Sequence, residues 1–167
     1  MTLPSNRIIW LATFLICAFL MGVALYFEHV MGLEPCPLCM AQRVAVVFLG
    51  LFALLATLHN PQRTGTLVYA GLMFLSGLGG ALLASRQLWL QSLPEELVPA
   101  CGPGMYYMLE VFPWSEILTS MLMGTGDCAV VQWRDPVLGL SIPGWTMIWF
   151  LFMMSIAIYT AARPRRT

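Results

Sequence analysis

Four apolar runs, at about 8–27, 38–58, 66–84 and 143–162, constrain this chain more than anything else in it. Each is close to the ~20 residues that carry an α-helix across ~30 Å of hydrocarbon. The runs are continuous and do not alternate, which favours helices over barrel strands. Only 10% of the residues are charged, against about 25% in soluble domains. The expected fold is therefore an all-α membrane protein. It is a four-helix transmembrane bundle forming a single integral domain over residues 1–167. The first run is longer than a secretory h-region and ends in Tyr26-Phe27-Glu28-His29. With no small-residue cleavage pattern there, it is expected to stay attached.

Charge sets the expected orientation. Arg7, Arg63, Arg163, Arg165 and Arg166 lie on one side with no acid among them. Arg43, Arg86 and Arg134 lie on the other side together with all eight acids. The excess of arginine places both termini in the cytoplasm of a bacterial inner membrane. Two loops, 28–37 and 85–142, then face the periplasm. Net charge is zero and no basic cluster exists, which argues against nucleic acid as a partner.

That orientation gathers Cys36, Cys39, Cys101 and Cys128 on the oxidising side, where disulfides persist. Cys17 alone falls mid-span, as a small apolar filler. Cys36-Pro37-Leu38-Cys39 stands where a polar loop enters the second run. Proline suits the first turn of a helix, so Cys36 is expected at the N-cap and Cys39 within the first turn. The positive end of the helix dipole favours a thiolate there. Arg43 follows one turn later, about 6 Å along the axis on the same face. Its guanidinium can hold a thiolate or donate to a carbonyl oxygen of a bound acceptor. The structural alternative is a plain disulfide with Arg43 snorkelling to the headgroups.

Cys101 lies in Pro99-Ala100-Cys101-Gly102-Pro103-Gly104, an exposed context suited to attack by another protein, and Cys128 lies in Gly126-Asp127-Cys128. A bridge between them would close about 26 residues and remove roughly 3–4 kcal/mol of unfolded-chain freedom. Ser115 is expected to cap a short amphipathic helix ending at Met123, either flat on the bilayer or covering the bundle's outer end. Ala18 with Gly22, Ser76 with Gly80, and Gly77 with Ala81 are small residues at four-residue spacing, which allows close helix approach. Zinc is disfavoured because the second cysteine pair is too widely spaced for a structural site. His29, seven residues before Cys36, can be read as a proton carrier, against the favoured reading of an interfacial histidine with no role, and His59 is expected to be inert.

Two thiol pairs on one face can form a relay by disulfide exchange. An outer pair would oxidise a partner's dithiol and an inner pair would be reoxidised at the membrane. No haem, flavin or iron–sulfur pattern is present, so location points to a lipophilic quinone as acceptor. A quinone-linked enzyme serving a dedicated partner, a scaffold whose cysteines only staple loops, and a metal-binding subunit remain alternatives.

The pattern resembles the bacterial disulfide bond formation protein B (DsbB) family. The matching segments are Glu28-His29-Val30-Met31, Cys36-Pro37-Leu38-Cys39 with Arg43, and Arg86-Gln87-Leu88-Trp89-Leu90-Gln91. Further matches are the Cys101 segment, Gly126-Asp127-Cys128-Ala129 and Leu138-Gly139-Leu140-Ser141-Ile142-Pro143. The resemblance implies that Cys101 forms a mixed disulfide with the periplasmic thiol oxidase DsbA. It implies that Cys128 is the partner of Cys101 and can pair transiently with Cys36. It also implies that Cys39, assisted by Arg43, contacts ubiquinone or menaquinone drawn from the membrane pool, with Gln87 and Ile142 lining the quinone site. Some members of the family carry histidine at the Gln87 position. A thiol oxidase of that kind is known for a potential near −120 mV, which a structural disulfide near about −300 mV could not oxidise. The quinone, or an unusually oxidising Cys36–Cys39 pair, has to supply the drive.

Overall fold

The computed structural model describes residues 5–103 and 105–163. Gly104 of the Cys101 segment, and Arg165 and Arg166 of the charge argument, lie outside the described residues. Among the described residues six α-helices follow one another: α1 Asn6–His29, α2 Pro37–His59, α3 Arg63–Gln91, α4 Met105–Val111, α5 Trp114–Met123 and α6 Ile142–Ala162. Among the described residues no strand forms, and Arg134 and Ser141 make one isolated antiparallel bridge. The helices α1, α2, α3 and α6 are each long and apolar enough to cross a membrane.

The long helices pack in the order α1–α2–α3–α6. Side chains such as Phe19, Leu75 and Leu82 remain well exposed on their outer faces. Apolar residues all round a helix mark contact with lipid rather than water. The interior is built in layers. Trp10, Ala53, Ala56, Met73 and Ala157 fill one end; Cys17, Leu49 and Met153 fill the middle; Cys36, Leu38, Leu90 and Cys128 fill the other end. Cys17 is thus the apolar filler its position suggests.

Small residues control the closest approach. A Cβ on Gly80 would overlap the Phe150 ring, and one on Gly77 would lie 2.8 Å from Met154 Cγ. The stripe on α3 is therefore what lets α6 seat against it. The expected counterpart on α1 does no such work, since nothing lies within 4 Å of a Cβ placed on Gly22.

Two boundaries differ from expectation. The third apolar run ends near residue 84, yet α3 continues to Gln91. Arg86 and Gln87, which interrupt the run, are accommodated on the helix. Arg86 donates to the Met123 carbonyl at 3.2 Å and lies 4.3 Å over the Trp89 ring, while Gln87 is buried. At α5 the N-cap is Pro113 rather than Ser115, with no side-chain cap. Ser115 sits inside the first turn.

The apolar face of α5 divides in two. Ile117 is buried with Met108 against Met40, Phe112 and Met121, covering the start of α2. Trp114, Leu118 and Leu122 are exposed. One side closes the bundle and the other is free to meet a bilayer surface.

Candidate functional site: a sulfur cluster above an apolar cavity

The site begins with the way α2 starts. Pro37 occupies its first turn, and Cys36 is the N-cap in extended geometry (φ −71°, ψ 162°). The Cys36 sulfur accepts the Cys39 backbone N–H at 3.3 Å, satisfying one of the free amides of the first turn. This fold-back leaves the Cys36 and Cys39 sulfurs 2.7 Å apart.

Cys128 arrives from the loop side. The turn Gly126–Ala129 places it with no exposed surface, against Cys36, Leu38 and Leu90. The Cys36 thiol donates to the Cys128 sulfur, and the backbone amides of Leu38 and Thr125 donate to it as well. These donors hold the Cys128 thiol down at about 6, against the opposing effect of burial. The Leu38 amide is another unpaired first-turn donor, so the N-terminus of α2 serves a cysteine from the other loop. Cys36 is pushed the opposite way, because its proton is held between Cys128 and Cys39. The cluster therefore favours a thiolate on Cys128 and a proton on Cys36.

Cys101 remains outside this cluster, exposed to solvent. Its thiol donates to the Asp127 carboxylate, which raises it above the usual thiol range. The same carboxylate accepts the Gly102 amide and the Thr125 hydroxyl, both at 3.2 Å. Gly126 donates to the Ala100 carbonyl at 3.1 Å. A Cβ on Gly126 would overlap the Pro99 carbonyl and lie 3.0 Å from the Cys101 amide. The Cys101 segment thus rests on bare backbone one residue from Asp127. All five cysteines are free thiols in this structure. The staple between Cys101 and Cys128 is not formed, and Cys128 lies with Cys36 instead.

Gln87 reaches the sulfurs from α3. Its Nε2 donates to Cys36 at 3.3 Å and to Cys39 at 3.2 Å. Arg43, expected to hold a thiolate or to donate to a carbonyl oxygen of a bound acceptor, is directed at Glu28 rather than at the cysteine sulfurs. It forms an ion pair with Glu28, whose side chain is almost wholly buried, and donates to the Ala24 carbonyl at 3.1 Å. Tyr106 donates to the same Glu28 carboxylate. The physical reason is that a buried guanidinium needs a counter-charge, and Glu28 on α1 supplies it. The amide of Gln87 contacts the cysteine sulfurs, while the only sulfur the guanidinium reaches among the described residues is that of Met40, at 3.7 Å.

Below the sulfurs lies a cavity of about 400 Å³, walled mainly by apolar side chains of α1, α2 and α6. Leu20, Val46, Trp145, Trp149, Phe150 and Met153 form much of its wall. Cys39, Gln42, Arg43, Gln87 and Ile142 line its polar end. A smaller cavity, about 30 Å³, adjoins Cys36, Cys39, Gln91, Asp127 and Ser141. The large cavity lies in the size range of small-molecule sites, which are typically apolar with a few convergent polar groups. Its chemistry suits a hydrophobic ring bearing carbonyl oxygens, with amide and guanidinium donors at one end and greasy walls at the other.

The sequence expectation missed Gln42. Its signal was an amide inside an otherwise apolar run, a placement that is expensive in lipid. Glu28 was noted as a loop-side acid and as part of a matching segment, without its pairing to Arg43. The two histidines have local partners, His29 with the Leu25 carbonyl and His59 with the Tyr69 hydroxyl.

Comparison with known proteins sets this geometry in context. A family profile described as "Disulfide bond formation protein DsbB" matches residues 6–160. A "Disulfide bond formation protein B" of Hahella chejuensis is 59% identical over 162 residues, covering 96% of this chain and 97% of the relative. A protein of the same description from Marinobacter nauticus is 52% identical over 159 residues, covering 95% and 94%. A third, from Nitrosococcus oceani, is 47% identical over 159 residues, covering 95% and 93%.

Proposed function

The chain belongs to the disulfide bond formation protein B family and is a multi-pass membrane protein, and from that premise we propose that it is a quinone-reducing thiol oxidoreductase. It reoxidises a periplasmic DsbA-like thiol oxidase and passes the electrons to ubiquinone or menaquinone in the bacterial inner membrane, with both its termini cytoplasmic. One observation carries the reading. Cys36 touches Cys128 on one side and Cys39 on the other, and Cys39 also lines the apolar cavity. Sulfur contacts run from the loop to the lipid-facing site.

The exchange balances as follows. A thiolate of the reduced partner attacks Cys101 of a Cys101–Cys128 disulfide, and Cys128 leaves as thiolate. The partner's second thiolate closes its own disulfide and releases Cys101. Cys128 then attacks Cys36 of a Cys36–Cys39 disulfide and frees Cys39. Cys101 closes on Cys128 and releases Cys36. A leaving and attacking sulfur with a midpoint of about 6 is ionised at neutral pH, which suits both roles of Cys128. A bound quinone supplies a two-electron, two-proton acceptor, so that the Cys36–Cys39 dithiol returns to its disulfide. The chain's contribution at that step is to hold Cys39 at the cavity's polar end, with Gln87 and Arg43 as donors and Ile142 at its rim, and to keep water out with apolar walls.

The test is quinone reduction by the reduced partner oxidase in detergent or nanodiscs. Cys39→Ser should abolish turnover, and Cys101→Ser should prevent a trappable mixed disulfide with the partner. Undiminished turnover in the first variant would refute the assignment of the inner pair.

A further inference from the structure

Gln87 touches both inner sulfurs, but an amide can present either its NH2 or its carbonyl oxygen to them. Only the NH2 end favours negative charge on sulfur. Something must decide the orientation, and three groups in a row do so. The Thr146 hydroxyl lies 2.7 Å from Gln42 Oε1, Gln42 Nε2 donates to Gln87 Oε1 at 2.7 Å, and Gln87 Nε2 then faces the sulfurs. Gln42 and Gln87 are both buried, at 5% and 3% exposure. Water is therefore a poor substitute for either partner. Gln87 Oε1 takes the Gln42 donor at 2.7 Å and lies farther from sulfur, 3.7 Å from Cys39, so the close contacts to the sulfurs, at 3.2 and 3.3 Å, are those of Nε2.

We propose that Gln42, anchored by Thr146, is a positioning residue that fixes the Gln87 amide with its NH2 toward Cys36 and Cys39. The row crosses three helices: Thr146 from α6, Gln42 from α2 and Gln87 from α3. The same contacts that define the sulfur environment thereby tie together the elements around the cavity. The Thr146 hydroxyl has one proton and a second acceptor in reach, the Pro143 carbonyl at 3.0 Å. Its hold on Gln42 is therefore shared, and its removal should matter less than removal of Gln42. The inference rests on the proposed redox role of Cys39 for its biological meaning, but not for its test.

The experiment measures the rate at which Cys39 of the fully reduced protein is alkylated by iodoacetamide at pH 7. Neither quinone nor partner is present, and the labelled cysteine is located by fragment mass spectrometry. Thiolates are the reactive form. Gln42→Leu should slow the reaction about threefold, because the roughly tenfold loss of thiolate expected from one lost charge-assisted hydrogen bond is partly offset by the greater nucleophilicity of the more basic sulfur. Thr146→Val should slow it less, about 1.5-fold, because its hold on Gln42 is shared with the Pro143 carbonyl. In a Gln87→Leu background neither change should have a further effect, because both act through Gln87. Alkylation at the wild-type rate in Gln42→Leu, or effects that multiply across the Gln87→Leu background, would overturn the proposal. If Gln42→Leu does not fold, an unchanged rate in the near-isosteric Thr146→Val protein would overturn it as well. Absence of quinone reduction in the unaltered protein would sink the proposed function and leave this alkylation result standing.

Discussion

Replacing Cys36 with alanine should move the ionisation of Cys128, a residue of the other loop, and the structure gives the size of the effect. Cys128 is held at about 6 rather than 9.0, and the hydrogen bond from Cys36 is the largest cause. The depressed value means that the thiolate persists as pH falls and is lost only below about 6. At pH 7 such a sulfur is about 90% ionised, whereas one with the ordinary midpoint is about 1% ionised. Rate alone is a poor gauge of this difference. Thiolate nucleophilicity falls with basicity, with a slope of about 0.4–0.5, so a three-unit drop costs roughly 20–30-fold and offsets most of the ~90-fold gain. The expected change in alkylation rate at pH 7 is therefore only several-fold. The midpoint of the pH profile is the decisive quantity. Alkylation of Cys128 in the reduced protein, followed from pH 5 to 10 by mass spectrometry, should give a wild-type midpoint near 6. In Cys36→Ala it should move up toward 9.0, since burial would be opposed only by Thr125 and the Leu38 amide. Cys36→Ser retains both a donor and a good N-cap, and should fall between the two. A wild-type midpoint at the usual thiol value, or one that does not respond to Cys36→Ala, would refute the account of the cluster.

Two further outcomes are expected. Arg43→Ala should raise the KM for quinone and leave the trapping of a partner at Cys101 intact, because Arg43 borders the cavity and bonds to Glu28, Met40 and Ala24, whereas the Cys101 thiol is held by Asp127; an unchanged KM in quinone titrations would make it only the counter-ion of Glu28. Gly126→Ala should slow transfer from the partner severalfold in single-turnover kinetics, because a methyl group there would displace the Pro99 carbonyl and the Cys101 amide; wild-type kinetics would show that the seat of the Cys101 segment is not needed.

The helices were legible because lipid demands long apolar runs, and no loop in this chain imitates one. The end of α3 was not. Arg86 and Gln87 break the apolar run, and only packing reveals that Arg86 reaches Met123 while Gln87 turns inward. The four periplasm-side cysteines stood out because none falls mid-span: three lie outside the apolar runs and Cys39 lies at the very start of the second. Their grouping depended on tertiary contact, which brings Cys128 to the start of α2. The partner of Arg43 was hidden for a related reason. Glu28 lies across a turn on a different helix, so no spacing rule links the two. Gln42 went unnoticed because a single amide barely alters the hydropathy of its run. At Ser115, preference for a hydroxyl cap pointed two residues beyond the true start, where Pro113 already supplies the required backbone angle.

The position of Cys36 between two sulfurs has a consequence of valence. A sulfur can enter one disulfide at a time, so joining Cys128 necessarily sets Cys39 loose, and rejoining Cys39 expels Cys128. Traffic from the loop and discharge into the lipid phase must alternate, and a single atom enforces their order.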